Sequence, residues 1–108
     1  MGARKRWIAF TSPTRGILMV DSGAKEALVN QGRSLLASGV REVKGNFRRG
    51  DLVSVRDMAN QEFARGLVNY PHAELEKIRG LKSEAIVHLL GRKADEVIHR
   101  DWLVLLKS

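Results

Sequence analysis

The chain has 108 residues, ten glycines, two prolines and no cysteine, which fits one compact domain with many turns and rules out disulfides and thiolate metal sites. Nineteen basic residues against twelve acidic ones give a formal charge of +7, a balance that favours polyanionic partners, above all nucleic acid. No apolar run approaches the roughly 20 residues needed to span a bilayer, and Trp7 to Phe10 is too short for a signal-peptide core, so the expected location is the cytoplasm, without membrane contact.

Residues 1–14 read as an N-terminal arm or interdomain linker. Arg4-Lys5-Arg6 is solvated charge, Trp7, Ile8 and Phe10 suit docking on a neighbour, and Thr11 to Thr14 forms a polar turn. Residues 15–108 then form the domain. Ile17 to Val20 is a brief apolar run bounded by turn residues, as in a strand. Asp21 and Ser22 both suit the N-cap of a helix whose Ala24, Ala27 and Leu28 share a face and which Gly32 ends in the left-handed C′ position. Gly23 would let a ligand approach that helix N-terminus, where unpaired amides attract anions.

A second strand starts at Gly39-Val40 and alternates to Phe47, ahead of a turn at Arg48-Arg49-Gly50-Asp51. Leu52 to Arg56 alternates as a half-buried strand, Asp57 to Gln61 is a hairpin connection, and Glu62 to Val68 is the return strand. These strands read as a meander. Two helices follow. One carries Leu75 and Ile78 with Pro71 in its first turn. The other is capped by Ser83, carries Ile86, Leu89 and Leu90 on one face, and closes at Gly91. Trp102 to Leu106 is the expected last strand. The fold class is therefore mixed α/β, mainly β, a small barrel or sheet with helices beside it.

Catalytic signals are absent from the pattern. His99-Arg100-Asp101 matches the start of the protein-kinase catalytic loop, but the Asn that must follow and a glycine-rich phosphate loop are missing, so these residues are expected to cap and anchor the last strand. Arg49-Gly50-Asp51 is an adhesion-type tripeptide whose Gly-Asp is what a strand-joining turn requires. His72, His88 and His99 have no metal-ligand spacing. What remains is a set of cations near glycine turns, at Lys25, Arg33, Arg41, Arg48, Arg49, Lys82, Arg92 and Arg100, from which a phosphate-binding surface could be assembled. Aromatic residues for base stacking are few.

Val20-Asp21-Ser22-Gly23-Ala24, Ala27-Leu28, Gly39-Val40, Gly45-x-Phe47-x-x-Gly50-Asp51-x-Val53 and Ala64-x-Gly66, taken in order, resemble a PUA domain, a pseudobarrel of short strands with flanking helices. Arg4 to Ala9, Ser34-Leu35-Leu36, Ala64 to Tyr70 and Glu96 to Asp101 make the chain most similar to the C-terminal PUA domain of the glutamate 5-kinase family. The resemblance implies a parent enzyme that phosphorylates the γ-carboxylate of L-glutamate with ATP and magnesium, opening proline biosynthesis. It also implies an N-terminal amino-acid-kinase domain of the same polypeptide as a partner. ATP and magnesium belong to that kinase domain, so no catalytic residue, metal or cofactor is expected in this chain. Trp102 departs from the family pattern, which has a polar residue there. PUA domains resemble one another as RNA binders, and on this chain the corresponding surface is Gly23, Ala24, Lys25, Gly39, Val40 and Arg41. Two roles stay open: an RNA-binding or regulatory appendage of a glutamate 5-kinase, and a free-standing RNA-binding PUA protein in RNA modification or translation.

Overall fold

In the computed structural model the described residues are 11–106, so Arg4-Lys5-Arg6, Trp7, Ile8 and Phe10 lie outside them. The apolar run predicted as the first strand is β1 (Gly16–Val20), followed by α1 (Ser22–Gln31), a 3-10 turn (Ala37–Gly39) and β2 (Val40–Gly45). Then come β3 (Leu52–Arg56), β4 (Glu62–Leu67), α2 (His72–Ile78), α3 (Ser83–Leu90), a second 3-10 turn (Arg100–Trp102) and β5 (Leu103–Leu105). They form a mainly β, mixed α/β fold around one five-stranded sheet.

The sheet order is β2-β1-β3-β4-β5, which corrects the expected meander. β1 is antiparallel to β2 and parallel to β3. The chain therefore leaves β2, passes over the start of β1 and comes down on its far side. Gly16 permits that crossing: a Cβ there would stand 2.3 Å from Phe47 Cδ2, and Phe47 itself is buried. The same geometry sets two ends of the sheet. At one end β1 and β3 finish while β2 and β4 start; at the other β1 and β3 start while β2 and β4 finish.

β3 was expected to be half-buried, with Val53 and Val55 inward. Instead Leu52, Val53, Ser54 and Val55 are all buried, because a central strand has neighbours on both sides and cover on both faces. Burying a hydroxyl is tolerable only with a partner, and Ser54 donates to Glu62 at 2.5 Å while Arg56 Nε donates to Ser54 at 3.2 Å. Arg65 holds the same Glu62 carboxylate at 3.0 Å.

The core lies on the other face, where Leu18, Val20, Val53 and Val55 of the sheet meet Leu28 of α1 and Leu75 and Ile78 of α2. α3 is attached more loosely than its pattern suggested. Lys82, not Ser83, holds the cap position, no side chain caps the helix, and Leu89 is exposed while Ile86 alone is fully inside. The last strand starts at Leu103, and Trp102 ends the 3-10 turn before it. His99 caps that turn, its Nδ1 accepting from the Asp101 N–H at 3.0 Å, as expected of these residues. Tyr70, which the sequence did not single out, is buried and clamps a distant loop: its hydroxyl donates to Asp95 O at 2.9 Å and accepts from Asp95 N–H at 2.7 Å.

Gly66 of β4 shows how closely the late chain packs on the sheet. A Cβ there would lie 2.6 Å from Ile98 Cγ2 and 2.8 Å from the Trp102 carbonyl oxygen, and the latter is backbone that cannot swing aside. Gly66→Ala is predicted to lower stability by about 1–3 kcal/mol, the usual penalty for overpacking. Urea denaturation followed by tryptophan fluorescence measures it, and an unchanged midpoint would refute the packing described.

Candidate nucleic-acid interface

The six residues expected to form a binding surface gather at the end of the sheet where β1 finishes and β2 starts, yet they have different tasks. α1 begins there because Asp21, in extended conformation, accepts the Ala24 N–H at 2.8 Å. Asp21, and not Ser22, is thus the cap, and Gly32 ends the helix at φ 59. Asp21 N–H in turn donates to Gly39 O at 3.0 Å, tying the helix start to the turn that precedes β2. Ala24 and Gly39 face each other so closely that a Cβ on Gly39 would lie 2.5 Å from that of Ala24. Gly39 is therefore needed for packing. Val40 is wholly buried and presents no side chain to a ligand.

Gly23 is the open position. The space before it holds only Asp21 Oδ1, 3.5 Å from where a Cβ would stand. Lys25 and Arg41 flank it, but each is already engaged. Lys25 Nζ lies 2.9 Å from Asp57 Oδ2 and 5.2 Å from the centre of the Phe63 ring. Arg41 donates to Asp21 Oδ2 through NH2 at 2.8 Å and Nε at 3.2 Å, and to Ser38 O. The Ala24 N–H and then the Arg41 guanidinium hold the Asp21 carboxyl below its ordinary range. Asp57 is lowered by Lys25 and by the Gln61 N–H. The helix N-terminus is thus occupied by a carboxylate of the chain itself, which weakens its appeal to an incoming phosphate.

Between α1 and the segment leading to Gly39 lies a cleft of about 320 Å³, lined among others by Asp21, Gly23, Ala27, Arg33, Ser34 and Leu36. A neighbouring cleft of about 400 Å³ shares Arg33, Ser34 and Leu36 and adds Glu96, His99 and Arg100. Arg33 borders both, is exposed, and forms no ion pair among the described residues. Sequence reading counted Arg33 among scattered cations without placing it at the site. The antiparallel bridge between Leu35 and Ile98 brings it there, and no local signal announces that pairing. No group of three or more His, Cys, Asp or Glu side chains able to hold a metal occurs among the described residues.

The comparisons with known proteins agree with this architecture. The family described as "PUA domain" matches residues 16–90. The chain belongs to the PUA domain family. Among its relatives, a glutamate 5-kinase of a Geobacter species is 51% identical over 107 residues, covering 98% of this chain and 29% of that enzyme. A glutamate 5-kinase of Picosynechococcus is 52% identical over 105 residues, covering 96% of this chain and 28% of that enzyme. This PUA domain thus spans less than a third of the length of the kinases it matches, corresponding to their C-terminal PUA region and not to their catalytic domain. Among solved structures, a PUA domain from Aeropyrum pernix in complex with tartrate superposes with TM-score 0.59 at 27% identity, covering 79% of this chain and 41% of that one. A PUA domain protein from Thermoplasma acidophilum gives 0.57 at 24%, covering 88% and 55%. No helix among the described residues is long and apolar enough to cross a membrane.

Asp21 joins helix cap, turn and cation, so its loss has a defined signature. Asp21→Ala is predicted to cost about 0.5–2 kcal/mol at neutral pH, the range for removing such a cap. The folded-state pKa is depressed, so this contribution is complete above the ordinary aspartate value, about 3.9. It fades as pH falls through the lowered folded value. Melting curves from neutral to acid pH should therefore show wild type and variant converging at the acid end. A gap that stays constant would contradict the charged cap.

Proposed function

We propose that this PUA domain is the non-catalytic module of a glutamate 5-kinase, in which it serves as an RNA-binding appendage. The single observation that carries the first half is the 51% identity maintained over 98% of the chain. In that setting the polypeptide's amino-acid-kinase domain, with ATP and magnesium, makes γ-glutamyl phosphate from L-glutamate for proline biosynthesis in the cytoplasm. A free-standing RNA-binding protein is the rival, and the coding sequence upstream of Met1 discriminates: an in-frame kinase domain decides for the appendage.

RNA contact is supported by the +7 formal charge and by the clefts that meet at Arg33. It is supported further by the fold, since a structural neighbour (TM-score 0.50, 22% identity) comes from an H/ACA RNP bound to a substrate RNA. The chemistry on offer is mainly phosphate positioning, because Phe47, Phe63 and Tyr70 are buried and, among the described aromatic residues, Trp102 alone is exposed for a base to stack on. One observation favours a second, regulatory reading, in which the domain contacts the kinase domain instead. Lys25 and Arg41, the cations nearest Gly23, are already neutralised by Asp57 and Asp21.

Two measurements test this. Purified alone, the chain should form no γ-glutamyl phosphate above a contaminant control; measurable formation would refute the assignment. Fluorescence anisotropy with labelled single-stranded and hairpin RNA should show binding whose log K falls with log salt by about 0.7 per phosphate neutralised on single strands. Arg33→Glu should weaken it, whereas Gly23→Ala, with open space before it, should leave the fold intact and report on close approach of the ligand. Absence of RNA binding at low salt, together with altered activity of the kinase polypeptide when the domain is removed, decides for the regulatory reading.

A further inference from the structure

A cluster of four cations lies at the opposite end of the sheet from Gly23. Arg15 precedes β1, Lys44 is near the end of β2, and Arg48 and Arg49 belong to the loop that crosses from β2 to β3. Pairing brings them together: Gly16 is opposite Gly45 and Ile17 opposite Lys44, while Arg15 N–H donates to Leu52 O at 2.7 Å. Arg15 is pressed on the loop so closely that a Cβ on Gly45 would stand 2.6 Å from the Arg15 carbonyl oxygen.

All four side chains are exposed. Arg15, Lys44 and Arg48 form no ion pair among the described residues, and Arg49 reaches Asp95 only at 4.0 Å with both groups well solvated. The one carboxylate within the crossing loop is engaged by the turn itself, Asp51 Oδ2 accepting the Arg48 N–H at 2.8 Å. The loop is also rigidly held. Phe47 is anchored in the core, Gly50 N–H donates to Val68 O at 2.7 Å, and His72 N–H donates to Phe47 O at 3.1 Å. Like charges gathered on neighbouring stretches of backbone repel, and the long, solvated pair from Arg49 to Asp95 relieves them little. Three of the four are arginines, whose planar forks match phosphate oxygens in pairs.

We propose that Arg15, Lys44, Arg48 and Arg49 form the principal contact of this domain with the phosphate backbone of RNA, at the end of the sheet away from the Gly23 cleft. This rests on the RNA reading above and changes where its affinity resides. The cleft, where Lys25 and Arg41 are already paired and Arg33 is left to meet a ligand, contributes placement; the crossing loop, with more cations, contributes attraction. An RNA backbone fits better than an acidic protein surface. None of the exposed large apolar side chains (Val29, Leu36, Met58, Val87, Leu89, Trp102 and Leu105) comes from these segments, whereas protein interfaces are built around an apolar centre.

The test compares two double reversals with equal change of net charge, measured by anisotropy with labelled oligouridylate over a series of salt concentrations. Arg15→Glu/Arg48→Glu should raise Kd by about tenfold or more at low salt and reduce the salt slope by about 1.4, two phosphate contacts at about 0.7 each. Lys77→Glu/Lys82→Glu, on α2 and before α3, should raise Kd by no more than about threefold, the effect of bulk charge alone. Melting temperatures establish that each variant is folded, and Arg15→Gln/Arg48→Gln, which adds no acidic group, should fall between wild type and the reversal. Equal losses from the two reversals overturn the proposal and leave only diffuse attraction. Loss with Arg33→Glu but not with Arg15→Glu/Arg48→Glu also overturns it while the RNA reading stands. Failure of the wild type to bind overturns both.

Discussion

Phe47 lies across Gly16, and the order of the sheet depends on that contact. A strand pair followed by a third strand most simply forms a meander, each strand beside its predecessor. Here the crossing loop carries the chain past the start of β1, so β1 becomes an inner strand with β2 on one side and β3 on the other. Any side chain at position 16 would meet the Phe47 ring or the Lys44 carbonyl oxygen, 2.7 Å from a Cβ. The consequences spread from there. β1 and β3 become parallel, both send their ends towards α1 and the Asp57 hairpin, and Lys25 can reach Asp57 across 32 residues of sequence.

The crossing also sorts the charges. At the α1 end, cations meet carboxylates that cap and close turns: Asp21 for the helix, Asp57 for the hairpin, where it also accepts the Ala59 and Gln61 N–H groups. At the other end, the turn built by Arg48 to Asp51 uses its carboxylate on its own backbone and leaves its guanidinium groups in water. A formal charge of +7 is thus distributed unevenly, and composition gives no hint of the division. Electrostatic attraction between exposed groups fades over about 10 Å at ordinary salt, so the two ends act as separate surfaces.

Much of this was legible where the controlling chemistry is local. Asp21 and Gly32 bound a helix because a short carboxylate and a residue free to adopt positive φ do so in any context. The Gly50-Asp51 turn and the His99 cap follow in the same way. The family resemblance was legible from the order of these punctuating residues. Illegible were the features decided by strand order. Alternation in Leu52 to Arg56 looks the same whether one face of a strand is buried or both, and only central placement buries Ser54. Lys25 and Arg41 read as free cations because their acidic partners are 32 and 20 residues away. Leu89 fitted a helical face, but α3 meets the core along a narrower line than its apolar content suggests.

The pairing of Leu35 with Ile98 joins two segments far apart in the chain, the first synthesised well before the second. β1, β2 and β3 can associate once residues 16–56 have left the ribosome, and local elements form far faster than residues are added. The wall of the cleft cannot. Leu35 acquires its hydrogen bonds to Val97 and Ile98, and Ser34 its bond from Arg100 N–H, only after the chain has been synthesised past residue 100. The groove beside α1 and the core under the sheet therefore share the same late segment, whose Val97, Ile98 and Leu103 belong to the one hydrophobic cluster, so a chain that lacks it loses the wall of the groove and part of the core together.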